Sequence, residues 1–565
     1  MVVKLESRPS SLDTVNSPVS ESTARILEWF EEKDLHKEAV LGAAVDALTQ
    51  YAETGLDRRG IDKHAERVLA LVESFVSDEM LFETKMAVLL HDLGDRLLNK
   101  ESPKYTKERA AAAADALAGF FASKHLTDDE RQTIAHILNE MIATERASGH
   151  YRTQMAYEAE KRGGLSKQVV EVLADGYQGE VPAEVLKAIR PSVDFEHMDT
   201  FLHESEFFGA VVTKSIELLD NLHNRPSQRE SAWVQDAQEA LCFYSPILEA
   251  AAIDGLTMDL CSEAHKLLLH LQGESAVVER AENILNEVFY PNYGPKELIA
   301  DIFGSISDVE IAKAVKENPQ TKKTPVHIGE FVGKLSNDIV VGGNYRLKTG
   351  GSLAKKLVNN PELPMDIFAM TVISQNEKTL PHEFSQFIRL LQQRAMDSDD
   401  NIELKPAPSK RKAIHIQGQA GFVESIQAAL QQAGVDESLY QLKPESAERV
   451  AKQGFPSFEV AKVTFMVGKV PVEIQFVTRD ERERSRRGEI AHIIYKSLGK
   501  LPKNIDQLPE PEQIAIFTRR RQLAEEGMEV MRYIYGRRLG DTPYSSDSGS
   551  FDRLVEECVA LGAAG

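Results

Sequence analysis

Cysteine is nearly absent from this chain of 565 residues, with three in all: Cys242, Cys261 and Cys558. None sits in a CxxC pair, so neither a zinc knuckle nor a disulfide framework organises the fold. No uninterrupted apolar run approaches the ~18 residues of a transmembrane helix. The stretch from Met1 to about Ser22 is rich in serine, proline and charge and lacks the apolar centre of a secretory signal. Positive charge is also scarce: 66 basic side chains stand against 88 acidic ones, a formal net charge of −22. Such a chain has no global field for nucleic acid or an anionic membrane, so direct nucleic-acid binding is not expected. Missing too are GxxxxGK[ST] and a GxGxxG following a strand, which excludes Walker and Rossmann cradles as nucleotide holders. These absences together fit a reducing cytoplasm and no membrane.

What remains is ordinary globular usage, 42% apolar and 27% charged, in a chain long enough for more than one core. The first half reads as helix. Apolar residues recur at three- and four-residue spacing over 23–54, 63–77, 106–123, 128–144 and 204–223, and again over 231–286. Thr127 followed by Asp128, Asp129 and Glu130 is a capped, dipole-matched helix start. Tyr290-Pro-Asn-Tyr-Gly-Pro295 is a turn cluster and the expected domain boundary. Beyond it, β-rich runs at 365–374, 412–417, 458–467 and 470–478 alternate with helical runs at 380–396 and 421–433. Gly468-Lys469 joins the last two β runs as an antiparallel hairpin. From about Pro509 the chain turns helical again. The expected class is multidomain: an all-α domain followed by an α+β domain with a mixed sheet.

Two constellations carry chemistry. In the helical half, His91 and Asp92 close an apolar helix, His64 lies on an earlier helix and Asp220 near the end of a later one. Taken singly, each is an ordinary surface or capping residue. Imidazole and carboxylate groups on three helices around one hole are how a helical bundle builds a site for a divalent ion with positions left open to water. In the second half, 344–356 contains Arg346, Lys348, Lys355 and Lys356 with no acid, beside a glycine pair and Ser352. In so acidic a chain this run suits a polyphosphate. Period-two alternation puts Val470, Val472, Ile474 and Phe476 on one face of the hairpin strand and Glu473, Gln475 and Val477 on the other. Glu473, with Asp366 from an earlier β run, supplies carboxylates suited to Mg²⁺.

The ordered set His64, His91-Asp92, Asp220 resembles the HD-domain phosphohydrolase superfamily. Glu217-Leu-Leu-Asp-Asn-Leu-His-Asn224 and the stretch 237–246 are similar to segments of the RelA/SpoT alarmone hydrolase domain. In the second half, Arg346-x-Lys348-x-x-x-Ser352 followed by Lys356, then Asp366, Ala413-Ile-His415, Glu473-Ile-Gln475 and His492-Ile-Ile-Tyr-Lys496 resemble, in order, the motifs of that family's synthetase domain. The resemblance implies an HD-type phosphohydrolase domain over 23–290 after a disordered 1–22. A nucleotidyltransferase-like synthetase domain over 296–505 and a helical tail over 506–565 follow, without the family's C-terminal regulatory domains. It implies metabolism of (p)ppGpp. Mn²⁺ would sit on His64, His91, Asp92 and Asp220, with Asp95 handling the attacking water and Asn224 contacting nucleotide. Mg²⁺ would sit on Asp366 and Glu473, the catalytic carboxylates of pyrophosphate transfer from ATP to GDP or GTP. Arg346, Lys348, Ser352, Lys356, Arg411, His415, Gln475 and His492 would bind nucleotide. A homo-oligomer is compatible with this layout.

The chain departs from the family's pattern at three places. Thr371 stands where the family has an arginine packed on adenine, Arg411 where it has a tyrosine stacked on guanine, and Arg96 replaces one acid of the pair after the HD. Losing one guanidinium plane costs on the order of 1–2 kcal/mol in adenine binding. Two other readings therefore stay open: a hydrolase whose synthetase-like half is a nucleotide-binding regulator, and a pyrophosphotransferase with an unusual acceptor.

Overall fold

The structure is a computed structural model. It describes residues 208–303 and 328–541 with gaps, and within 64–72 and 127–139 only a few residues. The expected turn cluster at 290–295 falls outside them except for Pro295, as do His91, Asp92, Asp95, Arg96 and His492.

The described part of the first half is helical, as its apolar periodicity requires. Helices α1 (Phe208–Asn224), α2 (Glu230–Glu239), α3 (Ser245–Ala250), α4 (Asp254–Leu271), α5 (Ser275–Val288) and α6 (Pro295–Phe303) follow one another. A π-helical turn, Ala240–Tyr244, joins α2 to α3. Val212, Ile216 and Leu219 of α1 are buried among neighbouring helices, as are Leu256, Leu260, Ala264 and Leu267 of α4. The residues described around His64 are helical too, with Val68, Leu69 and Val72 fully buried.

The second half is a mixed sheet of eight strands flanked by helices. Its elements are β1 (Ile328–Ser336), β2 (Ile339–Leu347), α7 (Gly350–Asn359), β3 (Phe368–Ser374), α8 (Leu380–Met396), β4 (Ile402–Leu404), β5 (Ile414–Gln419), α9 (Ala420–Gln432), β6 (Tyr440–Glu445), α10 (Ala447–Gln453), β7 (Val460–Val467), β8 (Val470–Thr478) and α11 (Arg479–Arg487). Strand order is β1-β2-β3-β8-β7-β5-β6, with β4 paired to β7. The pairs β3–β8 and β5–β6 are parallel, and the rest are antiparallel. The expected hairpin is β7–β8, and Gly468 takes the positive φ of 57° that its two-residue turn needs.

Alternation decides the faces. Phe368, Met370 and Val372 of β3 are buried together with Val472, Ile474 and Phe476 of β8, and α8 lays Phe384, Phe387 and Ile388 over them. The opposite face carries the polar residues described below. A long helix α12, Glu510–Asp541, ends the described chain. It packs against α1, α3, α10 and α11, so the expected tail is a structural element joined to both halves.

Two expectations need adjusting. The first β run begins at Phe368, and Asp366 sits in the turn before it. Strands β1, β2, β4 and β6 were not expected from alternation.

Candidate functional site

His64 and Asp220 stand 156 residues apart, yet His64 Nδ1 lies 2.8 Å from Asp220 Oδ2. Arg67, one turn after His64, grips the same carboxylate with both arms of its fork. Its Nε donates to Oδ1 at 2.8 Å and its Nη2 to Oδ2 at 2.9 Å. Asn224, four residues after Asp220 on α1, donates through Nδ2 to Oδ1 at 2.6 Å. Burial opposes ionisation of Asp220, but the hydrogen bonds and charges of His64 and Arg67 outweigh it and hold the carboxyl below the usual range. Two of the four expected metal ligands, His64 and Asp220, thus meet, and Asn224 joins them; His91 and Asp92 lie outside the described residues. Imidazole and carboxylate are donor types that a divalent ion takes, but here their 2.8 Å contact is a hydrogen bond and Arg67 engages both oxygens of the carboxylate, so a cation would have to displace these partners. Arg67 was not anticipated, although its position three residues after His64 puts both on one helical face.

The second constellation gathers at the β2–α7 junction and on the open face of the sheet. Lys348 leaves the end of β2 and is buried; its Nζ donates to Asp366 Oδ2 at 3.0 Å. Lys356, on α7, donates to the same oxygen. Burial works against the charge of Asp366, yet the two ammonium groups hold its carboxyl well below the usual carboxylate range. Lys348 itself is pushed down to about 8, chiefly by burial and by Lys356 and Arg346, with Asp366 opposing. Ser352, in the first turn of α7, accepts from Thr349 Oγ1 at 3.0 Å. Arg346 is exposed near the end of β2.

Register carries one polar row across the sheet. Asn344 is opposite Thr371, Thr371 opposite Gln475, Gln475 opposite Lys462, Lys462 opposite His415, and His415 opposite Gln441. Directly paired residues share a face, so these six side chains line one surface. The adjacent row is Arg346, Ala369 and Glu473. Glu473 accepts from Gln475 Nε2 at 2.7 Å and from Lys462 Nζ at 3.2 Å. His415 Nε2 lies 2.7 Å from the Lys412 carbonyl oxygen. Burial, with Lys410, Lys443 and Lys462 nearby, lowers the His415 pKa despite that hydrogen bond. Arg411 is exposed in the loop before β5.

Four expected site residues, Arg346, His415, Glu473 and Gln475, therefore share one face of one sheet, with Thr371 among them. Lys348, Ser352, Lys356 and Asp366 form a second cluster beside α7. Each carboxylate has its own ammonium partners, and among the described residues no group of three or more His, Cys, Asp or Glu side chains is placed to hold a metal ion. Lys462 and Arg482 were not anticipated. Lys462 sits opposite Gln475, a relation that needs strand register. Arg482 lies within Arg479-Asp-Glu-Arg-Glu-Arg-Ser-Arg-Arg487, which reads as a solvated helix.

No helix among the described residues is long and apolar enough to cross a membrane. Comparison of the chain with protein-family models finds no match, and a search of curated proteins finds none either.

Proposed function

We propose that this chain is a two-site alarmone enzyme of RelA/SpoT type. Its helical half would remove the 3′-pyrophosphate of (p)ppGpp, and its α+β half would transfer pyrophosphate from ATP to GDP or GTP. The observation that carries the reading is the meeting of His64 with Asp220 across 156 residues, in a helical setting where an ordered His, His-Asp, Asp set is present.

At the first site, His64 and Asp220 with His91 and Asp92 would hold Mn²⁺. A metal bound there lowers the pKa of a coordinated water toward neutrality. Arg67 and Asn224 keep the Asp220 carboxylate ionised and oriented, and Asp95 would take the proton of the attacking water. At the second site, Arg346, Lys348 and Lys356 set positive charge against a triphosphate. The 3′-oxygen of the acceptor attacks the β-phosphorus of ATP, the bond to the α-phosphate oxygen breaks, and AMP leaves. Glu473 would receive the hydroxyl proton, and Asp366 with Glu473 would hold Mg²⁺.

A second reading has its own support. Asp366 already has two ammonium partners and Glu473 one, so each carboxylate is neutralised by lysine rather than left open to a catalytic cation. The α+β half would then be a nucleotide-binding regulator of the hydrolase. Incubation of purified protein with ppGpp and Mn²⁺, and separately with ATP, GDP and Mg²⁺, separates these readings. The two-site enzyme yields GDP with pyrophosphate in the first tube and AMP with ppGpp in the second. The regulator yields only the first, at a rate that ATP changes. Product in neither tube removes both.

A further inference from the structure

Arg482 of α11 points its guanidinium at the polar row of the sheet. Its Nη2 donates to Asn344 Oδ1 at 3.1 Å, and Asn344 is the strand partner of Thr371. Asn344 and Arg346 are two residues apart on β2 and so share a face. The helix is set there by its cap, since Thr478 Oγ1, at the end of β8, accepts from the Glu481 backbone N–H at 3.1 Å.

The charges around this guanidinium do not balance locally. Burial, then the positive charges of Arg486 and Arg346, push Arg482 down to about 10, with Asp254 and Glu483 offsetting part of the effect. Three guanidinium groups thus act against two carboxylates, and Asp254 is already paired with Arg486 at 3.0 Å. The hydrogen-bond partner of Arg482 is a neutral amide. A half-buried cation beside another cation, held by an uncharged acceptor, suits an arriving polyanion.

Resting on the donor-nucleotide reading above, we infer that Arg482 and Arg346 form a two-guanidinium cradle for the triphosphate of the donor nucleotide, with Asn344 positioning Arg482.

The test is equilibrium binding of ATP and of adenosine to the full chain, native and with Arg482→Gln or Arg482→Lys, with folding checked by thermal unfolding. Glutamine keeps a donor for Asn344 but no charge; lysine keeps the charge. The expected result is an ATP affinity lower on the order of tenfold in Arg482→Gln, the loss of one charge-assisted hydrogen bond. Adenosine affinity should not change, and Arg482→Lys should stay within about threefold of native, since a point charge serves a phosphate. Native-like ATP binding by a folded Arg482→Gln overturns the inference alone, as does an equal loss with both substitutions or with adenosine. If the native chain binds no ATP, the donor-site reading fails and the inference with it.

Discussion

The backbone N–H of Gly351 donates to the Ser262 hydroxyl at 3.1 Å, tying the first turn of α7 to the middle of α4. A Cβ at Gly351 would stand 2.0 Å from the Ser262 carbonyl oxygen and 2.7 Å from its carbon. Both are backbone atoms, so relief requires one helix to move. This contact joins the helix that carries Ser352 and Lys356 to α4, which packs against α1, the helix of Asp220.

Gly351→Ala is therefore expected to destabilise the protein by about 1–3 kcal/mol, the range for overpacking a filled interior. The substitution should also weaken ATP binding by displacing Ser352 and Lys356. Thermal unfolding and nucleotide titration check this. Since the φ of Gly351 is unexceptional, an alanine tolerated without loss would mean that the helices separate easily.

Asp220→Asn is expected to uncouple three partners at once. An amide has one acceptor oxygen where the carboxylate presents two, so Arg67 loses its bidentate grip. Asp220 has a depressed pKa, so its stabilising contribution is present above the unfolded carboxyl value and is lost as pH falls through the folded one. At pH 7 the variant should lose about 1–2 kcal/mol, a figure kept small because Arg67 is partly solvated. Mn²⁺-dependent pyrophosphate release should fall below detection. Retained hydrolysis with full metal content would remove Asp220 from the ligand set.

Legibility in the sequence followed the strength of local periodicity. The run 380–396 coincides with α8 and 470–478 with β8, because apolar spacing in one and alternating Val, Ile and Phe in the other leave no competing reading. Strand β2 was not legible: Ile339–Leu347 contains two glycines and an arginine and merges into a basic run. Strand β6 reads Tyr-Gln-Leu-Lys-Pro-Glu, and its proline is tolerated because the strand lies at the sheet edge. The site divides in the same way. Motif residues such as Glu473 and Gln475 are local in sequence, whereas Lys462 and Arg482 belong to the surface only through strand register and through the fold of α11 over Asn344.

Asp259 on α4 is pushed up to about 7 by burial and by Glu263, with Lys266 opposing. Its pKa is raised, so the folded state binds the proton more tightly than the unfolded one. Stability should fall as pH rises from about 4 to about 7 and then level off. Asp259→Asn should remove that slope and raise stability at pH 7 and above by up to about 4 kcal/mol. Urea midpoints across this pH range check it. A variant no more stable than native at pH 8 would show that Asp259 has found a solvated or paired position.

Lys348 is held at about 8 before any nucleotide arrives. An arriving triphosphate favours the ammonium form and raises that value. Below pH 8 the lysine is protonated in the free and bound states alike, and affinity is at its full level. Above pH 8 the free protein must take up a proton in order to bind, so affinity should fall as pH rises, by up to tenfold per pH unit. Lys348→Arg replaces it with a group that stays charged throughout. The variant should bind ATP with less dependence on pH between 7 and 9, even if the larger fork in that buried position lowers affinity at pH 7. Calorimetric titration of ATP into both proteins at several pH values, in buffers of different ionisation enthalpy, measures proton uptake directly. Equal uptake by native protein and Lys348→Arg would place the titrating group elsewhere.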